Sequence, residues 1–251
     1  MKAKAIFIFS ILLCLSKLYC LDIKEININE YKISSQCTSL LCDNSESLNI
    51  YKENNDIYIL GWSRDGKMAY IENRSIEGRG GHDFYFTVID LVEDTITHQL
   101  KKRWYDNDDY GEAPEKALTF NQCIMKNSDV INSQLESNKI VIQPCKYQNF
   151  PAKDSKDDEV TFYVKVLKKG LGDYNLMYMS YEIYAEKNSQ IKLISTINNK
   201  KCEFVKPTGF IKSPYEDRIA LIIADAEYVS EGNEVFINFY GCNLSSGFSK
   251  K

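Results

Sequence analysis

Two histidines limit the acid–base and nucleophilic chemistry that this sequence can support. His82 and His98 are the only histidines in the chain. His82 precedes Asp83 and follows a glycine-rich loop, so a hydrolase could pair its imidazole with a nearby carboxylate. The sequence has no Gly-x-Ser-x-Gly motif, and no cysteine has the local context of a protease nucleophile. We therefore expect His82 in a loop and His98 on an alternating strand, with an envelope-polymer hydrolase using His82 as an alternative function.

The glycine-rich stretch IEGRGGH at 76–82 has the composition of an anion-binding loop. Loops that bind phosphate converge their backbone N–H groups on the anion and lead into a helix. Here a strand pattern follows, and the Gly-Lys-Ser/Thr triplet is absent. The stretch therefore predicts a long hairpin loop, with Arg79 at its tip available to an acidic partner.

A short acidic stretch, DNDDYGE, is the one candidate for a metal site. Calcium favours several hard oxygen ligands on one loop. Tyr110 and Ala117 stand where an EF-hand would need an oxygen ligand and a glutamate, so the stretch is not an EF-hand. We expect a solvated acidic turn and no cofactor, with a looser calcium site as the alternative. The residues of that alternative site are Asp106, Asp108, Asp109 and Glu112.

Trp104 is the aromatic residue with the strongest indication of a surface role. It follows the basic run Lys101–Arg103, whereas Trp62 lies between an apolar run and a turn and is predicted to pack in the core. The candidate binding residues are therefore Arg79, His82 and Trp104, in loops near 76–82 and 104–112.

Six cysteines follow the N-terminal region, an even number that permits three disulfides in an exported chain. No Cys-x-x-Cys motif occurs, which disfavours a zinc ribbon or a thioredoxin-like redox pair. Buried free thiols are the alternative to the disulfides. The preferred pairings are Cys37 with Cys42, Cys123 with Cys145, and Cys202 with Cys242.

The N-terminal segment 1–20 predicts export. Lys2 and Lys4 precede the apolar run IFIFSILLCLS, which is too short for a permanent membrane span. Cys20 could carry lipid, although Lys17 and Tyr19 occupy positions where a lipoprotein signal prefers leucine and a small residue. We expect this segment to be a signal peptide and the protein to be periplasmic or extracellular, with membrane attachment only through lipid on Cys20.

The charge of the remaining chain restricts its partners. The segment 1–20 holds three lysines and no acidic residue, so the segment 21–251 has 28 basic and 35 acidic side chains and a formal net charge of −7. Binders of nucleic acid or anionic membranes need clustered lysine and arginine. The overall charge therefore disfavours both classes.

Residues 21–251 predict one mainly-β (α+β) domain with two antiparallel, blade-like sheets. Alternating apolar residues mark strands in the halves 48–110 and 160–245, and Asp65-Gly66 predicts a tight hairpin turn. The region 112–138 is expected to be a helical insert enclosed by the sheets. Within it, we expect Ser128 to cap a second helix that buries Val130, Ile131 and Leu135. Residues 144–159 are expected to be a polar connection.

Two segments resemble one another, 58–91 and 209–244. Each has a strand, a serine, a turn with aspartate, a basic residue and a further strand, as in WSRDGKMAY and SPYEDRIAL. The first string resembles the strand–turn–strand of a TolB-type β-propeller blade, although the chain is too short for a complete propeller. The whole chain is similar to uncharacterised secreted proteins of spirochaetes, which share this string, a helical middle and a closing FYGCNL strand. That resemblance implies a cell-envelope location and no assigned activity.

These observations favour a non-enzymatic binding or interaction module of the cell envelope. Export, the lack of a catalytic constellation and two loop clusters support this interpretation. Its partner is expected to be an envelope protein or a ligand. A structural lipoprotein anchored at Cys20 is a further alternative.

Overall fold

A computed structural model describes residues 21–33, 55–75, 81–104, 118–172, 176–229 and 232–250. In these ranges the chain forms fourteen strands, one α-helix and a short 3-10 helix, Ile28–Tyr31. The strands make three antiparallel sheets, named A, B and C in the order in which they stack. None of the helices in these ranges is long and apolar enough to cross a membrane.

Sheet A is built from the first five strands of the chain. Ser63 and Lys67 close the first hairpin, since the Ser63 N–H donates to the Lys67 carbonyl oxygen at 2.9 Å. Gly66 takes a φ of +89° in this turn, a conformation that favours glycine. The predicted Asp65-Gly66 hairpin is thereby confirmed. The strands are β1 (Asp56–Trp62), β2 (Lys67–Ser75), β3 (His82–Asp90), β4 (Thr95–Trp104) and β5 (Val141–Ile142), in the order β4-β3-β2-β1-β5.

Sheet C follows next along the chain. Its central strand, β9, alternates buried and half-buried residues along most of its length. The strands are β7 (Ala152–Lys153), β8 (Glu159–Leu171), β9 (Met177–Lys187), β10 (Gln190–Lys201) and β14 (Ser249–Lys250), in the order β14-β10-β9-β8-β7.

Sheet B contains the next three long strands of the chain. Its central strand is apolar on both faces, as expected for a strand covered on both sides. The strands are β6 (Tyr147–Gln148), β11 (Phe204–Lys212), β12 (Arg218–Val229) and β13 (Gly232–Asn243), in the order β13-β12-β11-β6. The two segments that resemble one another thus form β1–β3 of sheet A and β11–β13 of sheet B.

The three sheets pack face to face with sheet B in the middle. One apolar cluster joins sheets A and B, with Trp62 and Met68 from A and Ile222 from B. A second cluster joins sheets B and C, including Leu221 from B and Tyr181 from C. The α-helix, here α1, and residues 23–31 cover the other face of sheet A. The layers are therefore helix, sheet A, sheet B and sheet C.

Helix α1 spans Phe120–Ser137 and begins at a capping box. The Thr119 hydroxyl accepts from the Gln122 N–H, and the Gln122 side chain accepts from the Thr119 N–H. The prediction that Ser128 caps a second helix is wrong, since Ser128 lies inside α1 and donates to the Met125 carbonyl oxygen. Val130 is exposed rather than buried, whereas the predicted burial of Ile131 and Leu135 is confirmed.

The segment between α1 and sheet C contributes one short edge strand to every sheet. Strand β5 pairs with β1, β6 pairs with β11, and β7 pairs with β8. Gly61 permits the first of these contacts, because a Cβ at Gly61 would lie 2.0 Å from the Val141 carbonyl oxygen. The polar connection predicted for residues 144–159 therefore includes two strands, β6 and β7, and the start of β8. We call residues 141–153 the edge segment.

The mainly-β class with a helical insert is confirmed, and two details of the predicted architecture are wrong. There are three sheets rather than two, because β11–β13 pair with β6 and one another instead of extending the meander β8–β10. The helix covers the outside of sheet A and is not enclosed between sheets. The described helix covers 120–137 of the predicted 112–138, and residues 112–117 lie outside the described ranges.

The stack has two ends that differ in their connections. At the end that we call the turn end, Ser63–Gly66, Leu91–Asp94 and Ser213–Asp217 connect consecutive strands. At the opposite loop end, β2 ends at Ser75 and β4 at Trp104. The ends align across the sheets, since Arg218 contacts Leu91 at the turn end.

Candidate binding site

The flanks of the two predicted binding loops meet at the loop end of sheet A. His82 is paired with Ser75 on one side and with Trp104 on the other. Strands β2 and β3 flank residues 76–80, and β4 precedes residues 105–117. These three strand ends therefore lie side by side. The sequence could not establish this neighbourhood, because the register of β3 with β4 is a long-range property.

Asp83 is the buried centre of an ionic cluster next to this pair. The residue is 4% exposed. Arg103 donates from Nε to Oδ1 and from a terminal nitrogen to Oδ2 of Asp83, both at 2.6 Å. The Lys101 Nζ lies 3.6 Å from Oδ2, and the Tyr85 hydroxyl donates to the same oxygen at 3.2 Å. Asp83 thus fixes two cations and one phenol.

The electrostatics of Asp83 follow from these contacts. Burial alone would raise the pKa of the carboxyl group. The hydrogen bonds and charge of Arg103, together with the charge of Lys101, outweigh burial and lower the pKa below its usual value. Asp83 is therefore ionised at neutral pH and holds the cations in fixed positions.

Tyr85 lies between two cations. The Arg74 guanidinium carbon is 5.3 Å from the centre of the Tyr85 ring, and the Lys101 ammonium is 4.9 Å from it. Both distances are within the range of cation–π contacts. Arg74 also forms an ion pair with Glu72 at 2.7 Å and stacks on the Phe236 ring of sheet B at 4.6 Å. The cluster is thereby fixed to the neighbouring sheet.

We call the residues Glu72, Arg74, Asp83, Tyr85, Lys101 and Arg103 the cation cluster. Its three cations are balanced in part by Glu72 and Asp83 within the cluster and by the charge of Glu234 on sheet B, which acts on Arg74. The side chains of Lys101 and Arg103 are about half exposed, so both can still contact solvent or a ligand. Such an arrangement of positioned donors and an aromatic ring can bind an anionic group.

The cation cluster corresponds to a period-two pattern of charged and aromatic residues on three strands. Glu72 and Arg74 alternate on β2, Asp83 and Tyr85 on β3, and Lys101 and Arg103 on β4, so each pair shares a sheet face. The sequence shows the basic run Lys101–Arg103, but it suggests Asp83 only as a partner of His82. The cross-strand register joins Asp83 to Arg103 instead.

The His–Asp pair that a hydrolase would need is not assembled. His82 and Asp83 are consecutive on one strand and therefore project to opposite faces of the sheet. Both oxygens of Asp83 already accept hydrogen bonds from Arg103. His82 is the first residue of β3 rather than a loop residue. His98 is half-buried on β4 with its ring 5.9 Å from that of Phe86, in agreement with the predicted strand position.

Several predicted site residues lie outside the described ranges. Trp104 is the last residue of β4, at the edge of those ranges. No group of three or more metal-ligating side chains occurs in the described ranges, which do not include the acidic stretch. The residues outside are Cys20, Cys37, Cys42, Arg79, Asp106, Asp108, Asp109 and Glu112.

The four described cysteines are free thiols, so the pairings Cys123–Cys145 and Cys202–Cys242 are not formed. Cys123 lies on the buried side of α1, whereas Cys145 packs with the cluster on the opposite face of sheet A. Cys242 is paired with Ile219 at one end of β12. The residue after Cys202, Glu203, donates its N–H to the Ala226 carbonyl oxygen near the other end of β12. The positions of Ile219 and Ala226 are about 23 Å apart along β12, which is far beyond the reach of a disulfide between the two cysteines.

Burial suppresses the reactivity of these thiols. It raises the pKa of Cys145, Cys202 and Cys242 to about 11 in each case. The thiolate, which is the reactive form, is therefore scarce at neutral pH. The alternative interpretation of buried thiols without disulfides describes Cys123, Cys202 and Cys242, while Cys145 is only partly buried.

The chain matches no protein-family profile, no curated protein and no solved structure.

Proposed function

We propose that the protein is a non-enzymatic binding module of the cell envelope that recognises an acidic partner with the cation cluster. The observation that carries this proposal is the pair of half-exposed cations, Lys101 and Arg103, fixed on the buried Asp83. The predicted signal peptide supports the envelope location. The pairing of His82 with Trp104 supports the participation of the two loops, whose flanks adjoin the cluster.

The site favours recognition over hydrolysis. Its carboxylate is held ionised and saturated by cations, so it cannot act as a general base of the usual strength. Its cations are positioned before any ligand arrives, which reduces the ordering cost of binding. The hydrolase alternative would require His82 to find an acid other than Asp83.

The test compares two neighbouring lysines on β4. Lys101 belongs to the cation cluster, whereas Lys102 is exposed and projects from the opposite face of the strand. We expect Lys101→Glu to abolish recovery of the partner after cross-linking in cells and affinity purification. Lys102→Glu makes the same change of charge and should leave recovery unchanged.

Two further results decide the proposal. Binding by the unaltered protein should weaken as salt increases, because it depends on exposed charges. Equal recovery with the Lys101 and Lys102 variants, or binding insensitive to salt, would overturn the assignment of this site.

A further inference from the structure

The loop-end half of β8 is a sheet edge without a neighbouring strand in the described structure. Strand β7 pairs only with Glu159 and Val160 at the start of β8. From Thr161 to Leu171, β8 is hydrogen-bonded on one side alone, to β9. A long strand edge of this kind is a potential contact surface.

This edge combines exposed apolar side chains with exposed lysines. Leu171 is 65% exposed, Leu167 48% and Val166 49%. Lys165, Lys168 and Lys169 lie between or beside these residues on the same strand and are exposed as well. We call these six residues the β8 edge patch. Its combination of aliphatic side chains with long cationic side chains is typical of surfaces that contact the interface of a bilayer.

The lysines of the patch have no ion-pair partner among the described residues. Lys200 and Lys201 nearby are different, because they pair with Asp225 and Glu227 of sheet B. One carboxylate, Glu182, lies opposite Lys165 in the register and accepts from the Tyr184 hydroxyl. The patch therefore has a local excess of positive charge on a protein that is acidic overall.

Strand addition by another polypeptide fits this edge poorly. Leu167 is an extra residue in β8, at a bulge between Val166 and Lys168. Bulges and lysines interrupt the regular ladder that an added strand needs. A fluid surface needs no register, and it can accept the aliphatic side chains while the ammonium groups remain at headgroup level.

A small hollow adjoins the patch on the same strands. It has a volume of about 120 Å³, and Lys168, Ser180 and Asn199 contribute to its lining together with Tyr178. The Ser180 hydroxyl oxygen accepts from the Asn199 N–H at 3.0 Å, so the hydroxyl hydrogen remains free to donate. The size and donors of the hollow suit one phosphate group rather than a large ligand.

We infer that the β8 edge patch binds an anionic phospholipid surface, with apolar contact by Leu167 and Leu171 and phosphate contact at the hollow beside Lys168. This surface is independent of the cation cluster on sheet A. It reconciles local membrane contact with the acidic character of the chain, because the patch is small and its lysines are unpaired.

The experiment is flotation with lipid vesicles. The protein without its segment 1–20, which the sequence predicts to be removed on export, is mixed with vesicles of phosphatidylcholine and phosphatidylglycerol in a two-to-one ratio or with vesicles of phosphatidylcholine alone. We expect flotation with the anionic vesicles alone and less flotation in high salt. Each lysine near an anionic surface strengthens binding about fivefold, so K165Q/K168Q/K169Q should weaken it about a hundredfold.

Matched variants locate the contact. K139Q/K146Q/K156Q removes three exposed lysines elsewhere and should retain most of the binding. L167S/L171S should lose flotation, while Leu193→Ser, which alters a leucine of sheet C that is 50% exposed, should not. In a further variant, Leu171→Trp, the added fluorescence should shift to the blue on mixing with anionic vesicles.

Three results would overturn the inference. The first is absence of flotation by the unaltered protein with anionic vesicles. The second is an equal loss in the patch variants and the matched controls. The third is self-association through the β8 edge, detected by sedimentation as a dimer that L167S/L171S dissociates, without vesicle binding.

Discussion

The two ends of the sheet stack use polar side chains in different ways. At the turn end, charged groups connect layers: the Gly241 N–H donates to Asp94 at 2.6 Å, and Arg218 donates to the Leu91 carbonyl oxygen at 2.8 Å. Lys187 donates to the Asp154 carboxylate and to the Leu244 carbonyl oxygen. At the loop end, Lys101 and Arg103 contact the buried carboxylate of Asp83 and remain half exposed.

The difference shows that similar ions bond between layers at one end and stay half exposed at the other. A cation that bonds a backbone carbonyl of another layer has its donors satisfied internally. A cation that contacts a buried carboxylate of its own sheet and is half exposed remains accessible from solvent. Substitutions at the two ends should therefore change different properties of the protein.

The largest effect is expected for Gly241→Ala at the turn end. A Cβ at Gly241 would lie 1.7 Å from the Leu91 carbonyl oxygen, so sheets A and B would have to separate. We expect a loss of about 3 kcal/mol or more in the free energy of unfolding. Gly170→Ala at the loop end is the control, because no atom lies within 4 Å of its Cβ position. Chemical denaturation of both variants measures the contrast, and similar losses would contradict it.

The next effect concerns Lys187→Met. Lys187 and Asp154 are both nearly buried, and removing the ammonium leaves the carboxylate without its charged partner. We expect a loss of about 3 kcal/mol, compared with less than about 1 kcal/mol for Lys101→Met at the loop end. The Lys101 variant should instead lose partner binding. A Lys187 variant as stable as the unaltered protein would show that the turn end does not depend on this ion pair.

A smaller effect should depend on pH, with opposite signs at the two ends. The pKa of Asp94 is raised from 3.8 to about 6. Burial is the main cause and the charge of Asp90 adds to it, whereas the Gly241 N–H, Arg218 and Lys192 offset part of the rise. The folded state thus binds the Asp94 proton more tightly, and this group's contribution to stability falls as pH rises through 6. We expect Asp94→Asn to gain about 1 to 2 kcal/mol relative to the unaltered protein between pH 4 and pH 7.5.

Asp83 should behave in the opposite way. Its pKa is lowered in the folded state, so its contribution to stability is complete at neutral pH and is lost as the pH falls below the usual carboxylate range. Asp83→Asn should therefore destabilise the protein at pH 7 and have little effect near pH 2. Denaturation curves for both asparagine variants across this range would test the two signs, and parallel pH profiles would refute the distinction.

The elements with local signals could be predicted from the sequence. The Asp65-Gly66 turn, the alternating strand β9 and the apolar stripe of α1 each depend on neighbours in the chain. The division into three sheets could not be predicted, because it depends on β11 starting a new sheet instead of pairing with β10, which is a long-range property. The edge strands β5, β6 and β7 were also beyond prediction, since two residues are too short to show periodicity. The capping role of Thr119 rather than Ser128 was available from the Thr-x-x-Gln spacing.

The candidate site was predicted in part. The basic run on β4 and the neighbourhood of His82 were recognised from composition, but their geometry depends on the register of β3 with β4. That register assigns Asp83 to Arg103 and places His82 next to Trp104. The cysteine pairings were wrong for the same reason, since sequence proximity did not predict which sheet face or which strand position each thiol occupies.

The edge segment 141–153 has a consequence for the order in which the molecule can be assembled. It offers a strand to sheet B before any of β11, β12 or β13 has been synthesised. Sheet A and the three long strands of sheet C also precede the long strands of sheet B, which lies between them. A chain emerging from its N-terminus therefore exposes two apolar sheet faces until its last quarter arrives and inserts between them. Truncation before β13 should leave these faces open to proteases and chaperones. Truncated chains should therefore be degraded, and only chains that contain the final strands should accumulate.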